Sequence, residues 1–147
     1  MTIEELEKRL KAMEDLEEIK KLHQKYMDLM DNLRYEKVLD LFTEDATVQV
    51  RNSEIKRGKK ELAEIYLGIL GKKGNIRDNA HLVIHPDITV NGDTAKGSWL
   101  VYMLFYTPDI QWIQGRNECE YRKENGTWKI NKLKFTRTLA SDPSLYP

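Results

Sequence analysis

Cysteine is almost missing from this chain: Cys119 stands alone among 147 residues. One thiol cannot close an internal disulfide or build a cysteine-based metal knuckle. Its neighbours Glu118 and Glu120 oppose a thiolate, so Cys119 reads as a small strand residue and not as a nucleophile. Net charge is missing as well. Lys+Arg and Asp+Glu each number 24, so no overall field gathers DNA, RNA or anionic lipid, and no nucleic-acid partner is expected. The basic group Arg51, Lys56, Arg57, Lys59 and Lys60 has few interleaved aromatics and reads as a solvated face. No stretch approaches the ~20 apolar residues of a membrane span, and MTIEELEKRLKAMEDLEE lacks the apolar centre of a secretory leader. A cytoplasmic protein with no membrane partner is expected. Gly71 and Gly74 bracket lysines without the G-x-G-x-x-G pattern, so no phosphate cradle is read there. Ser53, Ser98, Ser141 and Ser144 have no nucleophile-elbow context.

What remains is an ordinary globular composition, with 40% hydrophobic and 33% charged residues, sized for a single domain over 1–147. Glycine and proline are absent before Gly58, which favours helix. Thr2 and Glu5 form a capping-box pair, and Ile3, Leu6, Leu10 and Met13 recur at spacings of three and four. That narrow stripe marks a helical extension over 1–15. From Leu16 the apolar side broadens through Ile19, Leu22, Tyr26, Leu29, Met30 and Leu33, as in a helix laid across a sheet. A short helix Tyr35–Phe42, a turn at Thr43-Glu44-Asp45 and a strand Ala46–Arg51 are expected next. A third helix, KKELAEIYLGIL, ends at GKKG, 71–74.

Beyond this point the apolar period changes from 3.6 to 2. His81–Val90, Ala95–Tyr106, Gln111–Lys123 and Thr127–Thr138 read as strands, joined by turns at Asn91-Gly92-Asp93, near Pro108, and at Glu124-Asn125-Gly126. Helices followed by an antiparallel meander predict an α+β domain whose curved sheet can enclose an apolar pocket. The tail 139–147 reads either as loose chain or as a flap docking through Leu145 and Tyr146.

Four polar residues fall where such a fold could bring them together: Tyr26 and Asp31 on the long helix, His81 early in a strand, and Arg137 late in another. Alternation puts Arg137 on one face with Leu133 and Phe135, and His85 on one face with His81. Each residue has a bland reading beside the chemical one. His81 is a core histidine or a general base; Asp31 caps local backbone or holds His81 in one tautomer. Tyr26 fills core space or donates to a substrate oxygen, and Arg137 snorkels outward or binds an anionic group. His81 and His85 lie roughly 13 Å apart in a strand, too far to share a metal, so no metal site is expected.

The segments IKKLHQKYMDLMDNLRYEKVLDLFTEDA, NGDTAKG and ENGTWKI, with Gly58 before the third helix, make the chain resemble the SnoaL-like family of the NTF2-like superfamily. The resemblance runs from about Leu16 to Thr138. It implies a cone-shaped fold, a curved antiparallel sheet packed against N-terminal helices, and a homodimer or homotrimer. Within the family the chain looks most like the bile acid 7α-dehydratase group, and more distantly like scytalone dehydratase and hexachlorocyclohexane dehydrochlorinase. The KYxxxxD pattern falls on Tyr26 and Asp31, the HxxxH segment on His81 and His85, and the late-strand arginine on Arg137. Tyr26, Asp31, His81 and Arg137 would be catalytic, in a proton abstraction that uses no metal or organic cofactor. His85, Trp99, Met103, Phe105, Asn117 and Phe135 would line the site for a hydrophobic small molecule, steroid-like or polycyclic. Met103 stands where the bile acid group has a further aspartate, which weakens the likeness to that substrate. Dehydration, isomerisation and simple ligand binding all remain open.

Overall fold

In the computed structural model, residues 1–73, 79–107 and 109–145 are described; the expected turn residues Gly74 and Pro108, and Tyr146 of the tail, lie outside them. Helix α1 runs from Ile3 to Asp31 without a break. Its start is fixed by the capping box: the Glu5 amide donates to Thr2 Oγ1 at 3.1 Å, and Glu5 accepts the Thr2 amide at 2.8 Å. Residues 1–14 are exposed throughout, and burial begins at Asp15. That carboxylate accepts from Lys123 Nζ at 2.9 Å and from Trp128 Nε1 at 3.0 Å, tying the helix to the sheet where the body begins. Burial alone would raise the Asp15 pKa; the Lys123 and Trp128 bonds outweigh it and hold the carboxyl below its usual range.

After α1 come α2 (Tyr35–Val38), a single 3-10 turn (Leu39–Leu41), and strand β1 (Phe42–Val50). The expected turn at Thr43-Glu44-Asp45 is already strand. Pairing with β6 is broken between Phe42 and Thr47, and this irregularity absorbs the three polar residues. Strand β2 (Lys56–Arg57) precedes α3 (Gly58–Ala63), which continues as a wide π-type turn, Glu64–Leu70. Gly58 has φ +79, a conformation that a side chain would strain.

Strands β3 (Asn79–Asn91), β4 (Thr94–Phe105), β5 (Gln111–Glu124) and β6 (Thr127–Ala140) form the expected meander. The sheet is larger than the meander and not purely antiparallel. Its order is β2-β1-β6-β5-β4-β3, with β1 parallel to β6. Local periodicity cannot reveal that pairing, because it joins segments more than eighty residues apart in the chain. The fold is α+β, with helices packed on one face of an open, mixed sheet consistent with an NTF2-like cone.

The core lies between α1 and the inward-facing residues of the sheet, including Ile19, Leu29, Val48, Tyr121, Ile130 and Leu133. One diagonal cross-strand contact shows how tightly this face is packed. Gly115 lies under the ring of Phe135, and an added Cβ would stand 2.3 Å from that ring and 2.6 Å from the Thr136 carbonyl. Ser141 is bound to the sheet: its amide donates to the Trp112 carbonyl at 3.0 Å, and Trp112 N–H donates to Ser141 Oγ at 3.0 Å.

Candidate active site

Asp31 is the last residue of α1, an unfavourable place for an acid because the helix dipole is negative there. The next residue closes the helix: Asn32 donates through Nδ2 to the Asp28 carbonyl at 2.8 Å. The Asp31 carboxylate instead meets β3. It accepts the backbone N–H of His81 at 3.1 and 3.2 Å, and its Oδ1 lies 2.6 Å from His81 Nδ1. β3 is the last strand of the sheet, so amides on its outer side have no neighbouring strand to bond. The carboxylate takes up that valency and holds backbone and ring together.

The side chains of His81 and Asp31 are 11% and 13% exposed, shielded yet reachable by solvent. With Nδ1–H directed at the carboxylate, the neutral ring carries its lone pair on Nε2, the nitrogen then able to receive a proton. A positive charge formed there would be stabilised at 2.6 Å by the acid. Chemically this is a base with its tautomer and orientation set in advance.

The other expected residues are distributed differently. Met103 is directly opposite His81 on β4, and Phe105 opposite Asn79. Phe135 covers Gly115. Arg137 faces the same side, in the row Val83, Val101, Gly115, Arg137, three strand spacings from β3 or about 14 Å along the sheet. Its Nη1 donates to the Leu145 carbonyl, so the tail folds back over it. Its buried Nε has no acceptor among the described residues.

Tyr26 shares α1 with Asp31, but its hydroxyl pairs with that of Tyr66 at 2.8 Å within the core. Burial raises the pKa of both phenols, so both are neutral. His85 departs from the expected alternation. β3 breaks register between Ile84 and Asp87, and His85 sits in that break at φ 50, exposed.

Trp99 and Asn117 belong to a second polar centre that the sequence reading missed. His23 is fully buried on α1 and stacks on Trp99 at 4.7 Å. Its Nε2 lies 3.2 Å from Asn117 Nδ2 and its Nδ1 3.0 Å from the Tyr121 hydroxyl, which also accepts from Trp99 Nε1 at 2.9 Å. Burial pushes the His23 pKa down to about 3, so the ring is neutral. The available signal was its spacing: His23 falls four residues after Ile19 and three before Tyr26, squarely on the apolar side of the helix.

Cys119 is buried, and desolvation pushes its thiol up to about 12, far from nucleophilic form. Among the described residues no group of three or more His, Cys, Asp or Glu is placed to hold a metal. No helix among them is long and apolar enough to cross a membrane. An open groove of about 440 Å³ does exist on the other face of the sheet, lined by Asp87, Lys96, Glu118, Glu120 and Lys132. Its charges answer one another across strands, Lys96 to Glu120 at 3.6 Å, and it contains neither member of the His–Asp pair.

Helices on an open mixed sheet are the architecture of an NTF2-like protein, and a shielded His–Asp pair at the helix end with an aromatic core beside it is consistent with a proton-transfer site. The chain belongs to the SnoaL-like domain family, whose model matches residues 11–134. An NTF2-like protein with a cystatin-like fold from Novosphingobium aromaticivorans is similar at TM-score 0.82 and 22% identity, covering 92% of this chain and 90% of that one. A protein provisionally assigned as a scytalone dehydratase from the same species follows at TM-score 0.77 and 20% identity, covering 88% of each chain. Hexachlorocyclohexane dehydrochlorinase LinA-type3 from Novosphingobium barchaimii is similar at TM-score 0.77 and 17% identity, covering 90% and 92%. At such identities the likeness carries the fold alone. No curated protein sequence matches.

Proposed function

We propose that the protein is a cofactor-independent lyase, a dehydratase acting on a hydrophobic, steroid-like or polycyclic carbonyl compound. The observation that carries this reading is the 2.6 Å contact between His81 Nδ1 and Asp31, which leaves Nε2 as the proton acceptor. His81 Nε2 would take a proton from the carbon beside the substrate carbonyl, and the C–H electron pair would pass into an enolate. Collapse of the enolate would expel hydroxide from the neighbouring carbon, and the imidazolium would return the proton to it, releasing water. Asp31 would stabilise the imidazolium between those steps. The buried Arg137 Nε would donate to a substrate oxygen or anionic end, so the ligand would have to reach from β3 toward β6. That reach suits a fused-ring molecule better than a small one. Tyr26 would act on the developing enolate through the hydroxyl pair it forms with Tyr66.

The nearest functional kin on this reading is the bile acid 7α-dehydratase group, and scytalone dehydratase is the more distant model. Met103 opposite His81 argues for a different substrate from that of the bile acid group. The working form would be a cytoplasmic homodimer or homotrimer. An isomerase would use the same base and return the proton to another carbon. A pure binding protein would use only the apolar wall.

One assay separates the three. A panel of hydrophobic β-hydroxy ketones is incubated with protein and analysed by mass spectrometry and binding calorimetry. A lyase removes the mass of water, an isomerase shifts retention at constant mass, and a binding protein returns its ligand unchanged. His81→Ala should lower turnover by roughly 10²–10⁴-fold with the fold intact. Equal turnover by wild type and His81→Ala would eliminate the proton-transfer role.

A further inference from the structure

The first part of α1, residues 3–14, is exposed throughout and carries an apolar stripe facing solvent: Ile3, Leu6, Leu10 and Met13 are 74%, 52%, 57% and 66% exposed. The direction of that stripe limits what can cover it. At 100° per residue it lies about 160° around the helix from the sheet-facing residues Asp15, Ile19, His23, Tyr26, Met27 and Leu29. A straight helix therefore points the stripe away from its own sheet, and the chain's own body cannot cover it. Two such helices could pair back to back with their bodies on opposite outer sides and no clash between them.

The charges beside the stripe select the partner and its direction. With Ile3 and Leu10 at heptad position a, and Leu6 and Met13 at d, Arg9 falls at g and Glu7 and Glu14 at e. In a parallel pair, a g residue faces the e residue five positions later on the other helix. Arg9 then meets Glu14 of the other copy, twice by symmetry. An antiparallel pair brings g to g and e to e, placing Arg9 near Arg9 and glutamate near glutamate. A β-branched residue at a with leucine at d, as in Ile3 and Leu6, favours two strands. We infer that the first two heptads of α1 are a docking surface for a second copy of this chain, forming a short parallel, in-register two-helix coiled coil. This surface is separate from the sheet face and independent of the proton-transfer reading.

The test is sedimentation velocity on the full chain over a dilution series. Leu6→Glu/Leu10→Glu changes only exposed side chains and should raise the dimer dissociation constant more than about tenfold. Arg9→Glu and Glu14→Arg should each weaken the dimer, and the double variant should restore it to within about threefold of wild type. Register is read by mild oxidation of Met13→Cys, since the native thiol at Cys119 is buried. A parallel pair cross-links position 13 to itself, while an antiparallel one separates the two by about 15 Å. Cross-linking by Met13→Cys, and none by Lys8→Cys on the outer side of the helix, supports the inference. A monomer at every concentration, a mass unaffected by Leu6→Glu/Leu10→Glu, or failure of the charge-swapped double variant to recover overturns it.

Discussion

Acid should destabilise this protein through His23. The ring is fully buried, stacked on Trp99 and bonded at both nitrogens, and its pKa falls from 6.5 to about 3 through desolvation. In the unfolded chain it titrates near the ordinary value. Between those limits the unfolded state binds a proton that the folded state does not, so stability rises with pH across the window and falls as acid is added. The slope is about 1.4 kcal/mol per pH unit, and from about pH 7 to about pH 4.5 the loss is about 2–3 kcal/mol. The loss hardly depends on the folded value as long as that stays below the final pH. Urea unfolding across this range, for wild type and His23→Gln, isolates the effect, since His81 and His85 are common to both. Wild type should lose about 2–3 kcal/mol more than the variant. Parallel curves would show that His23 titrates normally, and that water reaches the centre formed with Asn117 and Tyr121.

Two further outcomes follow from the packing. Tyr66→Phe should cost about 1–3 kcal/mol by leaving the Tyr26 hydroxyl without its partner, and Tyr26→Phe/Tyr66→Phe should cost less than the sum of the single changes. Strict additivity in thermal unfolding would mean that the two hydroxyls do not bond. Gly115→Ala should destabilise by at least about 1–3 kcal/mol, because its Cβ meets both the Phe135 ring and the Thr136 carbonyl. Adding Phe135→Leu should recover only part of that loss, since the carbonyl stays; full recovery would place the whole conflict in the ring.

Much of the architecture was legible in the sequence because it rests on local patterns. Thr2 and Glu5 mark the helix start, the change of period marks the switch to strands, and Asn91-Gly92 and Asn125-Gly126 mark two hairpin turns. The parallel pairing of β1 with β6 and the wide turn at Glu64–Leu70 were not legible, because long-range packing decides them. The same division runs through the site. Asp31 and His81 could be nominated because each sat on the right element, yet fifty positions separate them in sequence. Only the fold shows the acid bound to both ring and backbone of the histidine. The placing of His85 by alternation has a local limit: alternation holds only while register holds, and β3 breaks register at that point.

The two histidine centres also account for each other. A base that must accept and return a proton needs some access to solvent and an acid partner, and His81 has both, with 11% exposure and Asp31 at 2.6 Å. His23 has neither: it is buried, and among the described residues its hydrogen-bonding partners are neutral. Lying on the same helix, His23 joins α1 to β4 and β5 through Trp99, Asn117 and Tyr121. The end of the helix is where Asp31 meets β3. A slip of α1 by one residue would move that carboxylate about 1.5 Å along the axis and turn it by about 100°, away from His81. The His81–Asp31 contact therefore shares its helix with a second histidine, two turns deeper, that burial keeps neutral.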